Sequence, residues 1–246
     1  MKQRWPGFAL IAVLLSVWEL ASRMQWVDPM TVPPVSTIFS SLWDSAVSGE
    51  LWEALGPTLR RLGTGLALAV AVGIVIGLLM GTIPLAYRLL EPLTEFIRPI
   101  PSSAYIPVAI LFLGLGDEMK VTVIFLACLF PVLLNTYAGV RAIDRVLVDT
   151  GRTFGVLGVK AVWRIVLPAA TPSIMTGIRI SLGISLIVTV IAEMLAGGTG
   201  IGYMILDSQR TFQVAQVFAG IFTLGVLGYS LNTGFLRLEN RLLRWR

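Results

Sequence analysis

The sequence predicts an all-α, polytopic membrane protein that crosses the bilayer six times, and three observations carry that prediction. Only 13% of the 246 residues are charged, 56% are hydrophobic and the mean hydropathy is +0.83, whereas soluble domains carry about 25% charged residues. Six segments stay apolar over the roughly 20 residues that a crossing helix needs: 7–24, 58–83, 99–115, 119–140, 172–196 and 213–236. With both termini inside, only Arg23, Arg60, Arg61, Lys120 and Arg210 of the 19 lysines and arginines fall outside, the bias expected of cytoplasmic loops. The acids Asp28, Asp44, Glu50, Glu53, Asp117, Glu118 and Asp207 run the other way.

The first segment follows Lys2 and Arg4 and resembles a signal peptide, but no small-x-small cleavage site follows it, so it is expected as an uncleaved span. Glu19 within it is placed to pair with Arg23 one helical turn on. Residues 33–56 form the sizeable external segment. Ser36 ahead of Ile38, Phe39, Leu42, Trp43, Ala46 and Val47 predicts a capped amphipathic helix. Two placements stay open for it, flat on the outer surface or as a short buried connector.

The segment 58–83 is continuous and apolar, with Arg60 and Arg61 as an awkward pair at its outer end. In 99–115, Pro99, Pro101 and Pro107 break the first half, and broken backbone is tolerated in a membrane only inside protein or along a cavity. Ser102 and Ser103 there, and Asn135 and Thr136 in 119–140, are polar groups placed to line a pathway. In 172–196, Ser181, Ser185 and Thr189 recur every fourth residue and Glu193 continues the series, one polar stripe on an apolar helix. Such hydroxyls line a cavity or bond their own helix and its neighbours. Glu193 is the costly member, since an ionisable group in a span faces a cavity or a partner. Arg98 and Arg179, near the inner ends of their spans, either anchor them or attract an anion leaving the pore.

Between the fourth and fifth spans lies 141–168, basic and punctuated by glycine. Val156, Leu157, Val159, Val162 and Trp163 give it an apolar face, and Arg152, Lys160 and Arg164 a basic one suited to lipid headgroups or an acidic partner. Asp149 suits the start of a short helix, and Gly155 and Gly158 suit a turn. An ordinary amphipathic loop and a docking element both satisfy this pattern.

Several functions are disfavoured. The chain has no His and a single Cys, Cys128, so the usual metal sites, disulfides and His-based catalysis have no residues to use. No GxxxxGK[ST], GxSxG or HExxH occurs, and the net charge of +5 follows from membrane topology without any nucleic-acid partner. A stand-alone secondary transporter is the less favoured alternative: no inverted repeat is evident, and only Glu193 and Glu19 come close to the charged relay it would usually need.

Asp149-Thr150-Gly151, then Gly155 after Arg152, Thr153 and Phe154, then Ile165, Leu167 and Pro168, resembles the coupling loop of ABC importer permeases. There a Glu-Ala-Ala triplet precedes a Gly, and Ile-x-Leu-Pro follows ten residues beyond it. Asp here replaces Glu, and Thr-Gly replaces Ala-Ala. The runs 59–81, 91–117, 130–144 and 177–205 and the terminal LENRLLRWR resemble the same family in order and spacing, nearest its nitrate, sulfonate and taurine type. The resemblance implies a type I importer permease fold in the bacterial inner membrane, with an N-terminal region over residues 1–56 and a core over 57–246. It implies a homodimer with the pathway between the copies. Two ATPase subunits carrying ATP and Mg would dock inside on Asp149, Thr150, Gly151, Arg152, Phe154, Gly155, Ile165 and Pro168, and a substrate-binding protein would deliver outside. This chain would itself be no enzyme and hold no cofactor. The implied cargo is a small organic or inorganic anion; permeases for thiamine precursors, aromatic acids or riboflavin-like solutes are the alternative.

Overall fold

A computed structural model describes residues 5–243, with every side chain in that range except those of Trp5 and Phe8. Lys2, Arg4, Arg244 and Arg246, used in the charge count, lie outside the described residues. The elements run α1 (Trp5–Arg23), α2 (Val35–Ser48), α3 (Glu50–Thr82), α4 (Pro84–Ile97), a 3-10 turn (Ser102–Ala104), α5 (Tyr105–Leu113), α6 (Asp117–Arg141) and α7 (Arg145–Thr153). Then come α8 (Val159–Ala161), a π-helical turn (Val162–Val166), α9 (Leu167–Ala196), α10 (Ile201–Arg210) and α11 (Val214–Leu242). The protein is all-α, with no strand among the described residues.

Among the described residues, four helices are long and apolar enough to cross a bilayer: α3, α6, the continuous stretch Val159–Ala196, and α11. The expected span 99–115 differs. Its helix α5 has nine residues, about 14 Å at the helical rise, too short to cross alone. The chain instead pairs α4 with Ser102–Leu113 across an 82° bend, a fifth crossing if the two form one broken span. Pro99 and Pro101 cause the break, since neither has an N–H to continue α4. Helix α1 covers the expected first segment, but among the described residues the candidate crossings number four, or five with the broken span, against the six expected.

The chain forms two compact units, one of Met1–Thr58 with Gly198–Val226 and the other of Leu59–Gly197 with Leu227–Arg246. In the first, Leu51, Ala54, Ile201, Met204 and Ile205 make the core. Trp18 meets Phe218, and Phe39 meets Phe222, edge to face at 5.4 and 5.1 Å. Ser36 does not cap α2, because Pro34 occupies that position and offers no side-chain oxygen. Glu19 of α1 takes over: its carboxylate accepts the Ser36 N–H at 3.0 Å and the Ser36 hydroxyl at 2.8 Å while holding Arg23 at 2.5 Å. A carboxylate there satisfies an orphan donor and the positive end of the helix together.

The second unit is built around α6. On α3, Gly65, Ala69, Gly73, Gly77 and Gly81 recur every four residues and face it. A β-carbon on Gly77 would lie 2.6 Å from Thr136 Cβ, and one on Gly81 2.6 Å from Val140 Cβ, so the helices touch backbone to side chain. Such small-residue seams let helices approach where the hydrophobic effect gives no driving force between them. On the other side of α6, Gly139 fits Ser173 of α9, and Gly177 of α9 fits Asn135 and the Pro131 carbonyl.

Candidate functional site

The triplet and the residues that follow it form α7 and a tight exit from it. Asp144 caps α7, its side chain accepting the Val146 N–H at 2.9 Å. Asp149, expected near the helix start, instead lies in its middle, because Asp144 has already taken the capping position. Its carboxylate makes an exposed pair with Arg152 at 3.0 Å. Thr150 returns its hydroxyl to the Val146 carbonyl at 2.7 Å, bonding within the helix. Gly151 is the buried member of the triplet, and a methyl group there would overlap Ile165 Cδ1 of the π-helical turn. Two residues singled out by spacing alone thus touch, and Gly in place of Ala leaves room for the Ile165 side chain.

The helix ends in a Schellman turn. The Val156 N–H reaches back to the Gly151 carbonyl at 2.9 Å and the Gly155 N–H to the Arg152 carbonyl at 3.0 Å, with Gly155 at φ +72°. A side chain at Gly155 would meet open space, so its glycine is required by backbone conformation and not by crowding. The turn leaves Phe154 80% exposed, beside exposed Leu157, Val159 and Trp163. Beyond Gly158, the Leu167 N–H bonds five residues back to the Val162 carbonyl. Pro168, which has no N–H, follows directly, so the wider turn falls where an α-helical bond would be lost anyway.

The polar stripe is interior to the second unit. Ser181 Oγ donates to the Cys128 carbonyl at 2.8 Å, and Cys128 Sγ donates to the Ser181 carbonyl at 3.3 Å, stitching α9 to α6. Ser185 and Thr189 bond their own helix through the Leu182 and Ser185 carbonyls. Thr136 does likewise on α6 against Gly77, and Asn135 Nδ2 donates to the Pro131 carbonyl at 2.8 Å. These side chains bond and pack between helices in this conformation, Ser102 lines a cavity, and neighbouring Ser103 is exposed.

Glu193 is fully buried and accepts from Arg61 Nη1 at 2.8 Å; Arg61, 3% exposed, also pairs with Asp117 at 2.6 Å. Arg60 reaches the other oxygen of Asp117. Lys120, equally enclosed, donates to the Gly197 carbonyl at 2.7 Å at the end of α9. Sequence reasoning does not find Arg61, Asp117 and Lys120 as members of an interior cluster. The available signal is spacing, because Arg61 stands four residues before Gly65 and heads the small-residue seam that faces α6.

Residues 69–244 match the family described as "Binding-protein-dependent transport system inner membrane component". The chain is 32% identical to the taurine transport system permease protein TauC of Escherichia coli, over all of this chain and 94% of that one. It is 34% identical to the putative aliphatic sulfonates transport permease protein SsuC of Bacillus subtilis, over 98% and 87%. To the bicarbonate transport system permease protein CmpB of Synechocystis it is 29% identical, over 95% and 86%. A chain of the inward-facing MetNI methionine ABC transporter superposes with a TM-score of 0.70 at 17% identity, covering 78% of this chain and 95% of that one. The fold, the apolar helices and the match over most of the length agree: the chain belongs to the family of binding-protein-dependent inner membrane transport components, as a permease subunit of an ABC importer.

Proposed function

We propose that the chain works as a homodimer that imports a small anion, with both termini inside and two ATPase subunits docked on α7 and the turn after it. The observation that carries this reading is the capped, Schellman-terminated α7, which rests on Ile165 through Gly151 and holds Phe154 out to water beside Asp149 and Arg152. A rigid short helix with one exposed aromatic and flanking charges has the composition of an interface anchor. ATP and Mg act on the partner subunit, and its closure draws the two α7 helices together. The long helices behind them then exchange between inward and outward arrangements. Relatives named for taurine, aliphatic sulfonates and bicarbonate support an anionic or zwitterionic oxoacid as cargo, delivered by a binding protein on the outer side.

Affinity purification of the tagged chain from its native membrane tests this. A P-loop ATPase co-eluting in equal amount is the expected result. Elution of the intact chain alone would overturn docking on α7.

A further inference from the structure

The second unit contains a cavity of about 370 Å³ lined by residues that include Arg98, Ser102, Leu126, Phe130, Leu134 and Ile184. Its volume falls in the range of small-molecule sites, about 300–1,000 Å³. One wall is the Arg98–Pro101 break between α4 and the 3-10 turn. Irregular backbone of this kind is tolerated at membrane depth only where protein or a cavity receives it. The break is braced: Arg98 N–H bonds to the Thr94 carbonyl at 2.9 Å, Ile100 N–H to the Ile97 carbonyl at 3.0 Å, and the Tyr105 hydroxyl to the Ile97 carbonyl at 3.3 Å. Arg98 and Ser102, on either side of the prolines, are thereby held on the same cavity. Glu95 contacts Arg98 through Nη1 at 3.2 Å, an exposed pair of the kind worth little. A guanidinium carries five donors in a planar fork suited to an oxoanion.

We propose that this cavity is an intramembrane binding site for an alkyl oxoanion. Arg98 and Ser102 hold the oxygens of the head group, and Leu126, Phe130, Leu134 and Ile184 hold an aliphatic body. The site rests on the importer reading above and narrows it, because apolar walls reward a ligand with a hydrocarbon part and give nothing to a bare inorganic ion. Sulfonates with a short chain fit; nitrate and bicarbonate do not.

The test uses the tagged chain in nanodiscs with the proteins that co-purify with it. Ala127, on the cavity wall, is replaced as Ala127→Cys, with Ile100→Cys, also on the wall, as a second reporter if the first fails to fold. Cys128 is buried, so the unsubstituted chain is the blank. Butane-1-sulfonate is expected to slow maleimide labelling on the order of ten-fold, the effect of about 1.4 kcal/mol of occupancy-linked protection. Nitrate and butylammonium at the same concentration are expected to leave it unchanged, and Arg98→Gln to remove the protection. Equal protection by butylammonium or nitrate, protection that survives Arg98→Gln, or reporters that label no faster than the blank would each overturn the site. The two readings separate cleanly. An ATPase that co-elutes without sulfonate protection leaves the importer standing and removes the site, whereas protection without an ATPase does the reverse.

Discussion

Gly155 concentrates the local physics of the proposed docking segment into one residue. Its φ of +72° costs an L-residue about 1–2 kcal/mol, least for Asn and Asp. Gly155→Asp adds a negative charge at the carbonyl end of α7, where the helix dipole disfavours it. This variant should insert normally and lose the ATPase on co-purification, while Gly155→Asn, which keeps the left-handed turn without charge, retains most of it. Normal ATPase recovery with the Asp variant would show that this turn does not bear the partner. The interior cluster gives a second prediction at this scale. Arg61→Ala leaves Glu193 buried without its guanidinium, and breaking such a pair costs about 3–5 kcal/mol. Thermal unfolding in detergent should show a lower Tm for Arg61→Ala than for the double variant Arg61→Met with Glu193→Gln, which removes both charges. The reverse order would mean that the pair carries no interior electrostatic role.

Among the elements, α3 and α6 make the sharpest packing claim. A side chain at Gly77 would press on the Thr136 β-carbon and the Leu133 carbonyl, which lies only 2.7 Å from the site of a new methyl. Overpacking of this kind costs about 1–3 kcal/mol. Gly77→Ala should therefore lower Tm and yield in the membrane, whereas Gly63→Ala, on an open face of the same helix, should be neutral or mildly stabilising through helix propensity. Equal effects at the two positions would rule out the seam. The long apolar helices behind this contact are legible in the sequence, because each depends only on local pattern, whereas which helix the α3 glycines face becomes visible only in the fold. Helix α4 is not legible, since Pro92 and its many polar residues disguise it as a loop. The nine residues of α5 carry too short a pattern to separate from the break before them. Helix α10 follows Gly197, Gly198 and Gly200, all at positive φ, and is shorter than an independent helix pattern requires. Of the site, Gly151, Gly155 and Ile165 stand out by spacing. The Arg61–Glu193 pair joins positions 132 residues apart, and no periodicity within either helix names its partner.

Across the whole molecule, the proposed orientation rests on charge: cytoplasmic loops of a membrane chain gather Lys and Arg, and here the cations cluster around α7 and the C-terminus while acids gather around α2 and the start of α3. In that orientation α7 lies on the side where ATP is available and α2 on the side where a binding protein arrives. The chain supplies a clean background for the check, because Cys128 is the one cysteine and is buried. Asp44 of α2 and Lys160 of α8 are both exposed, so Asp44→Cys and Lys160→Cys report the two sides with little effect on packing. In intact spheroplasts a membrane-impermeant maleimide should label Asp44→Cys and spare Lys160→Cys, and permeabilisation should bring the second up to the first. Labelling of Lys160→Cys without permeabilisation would invert the chain. It would also remove α7 from the reach of any ATPase, since no partner confined to the cytoplasm can grip a helix on the far side of the bilayer.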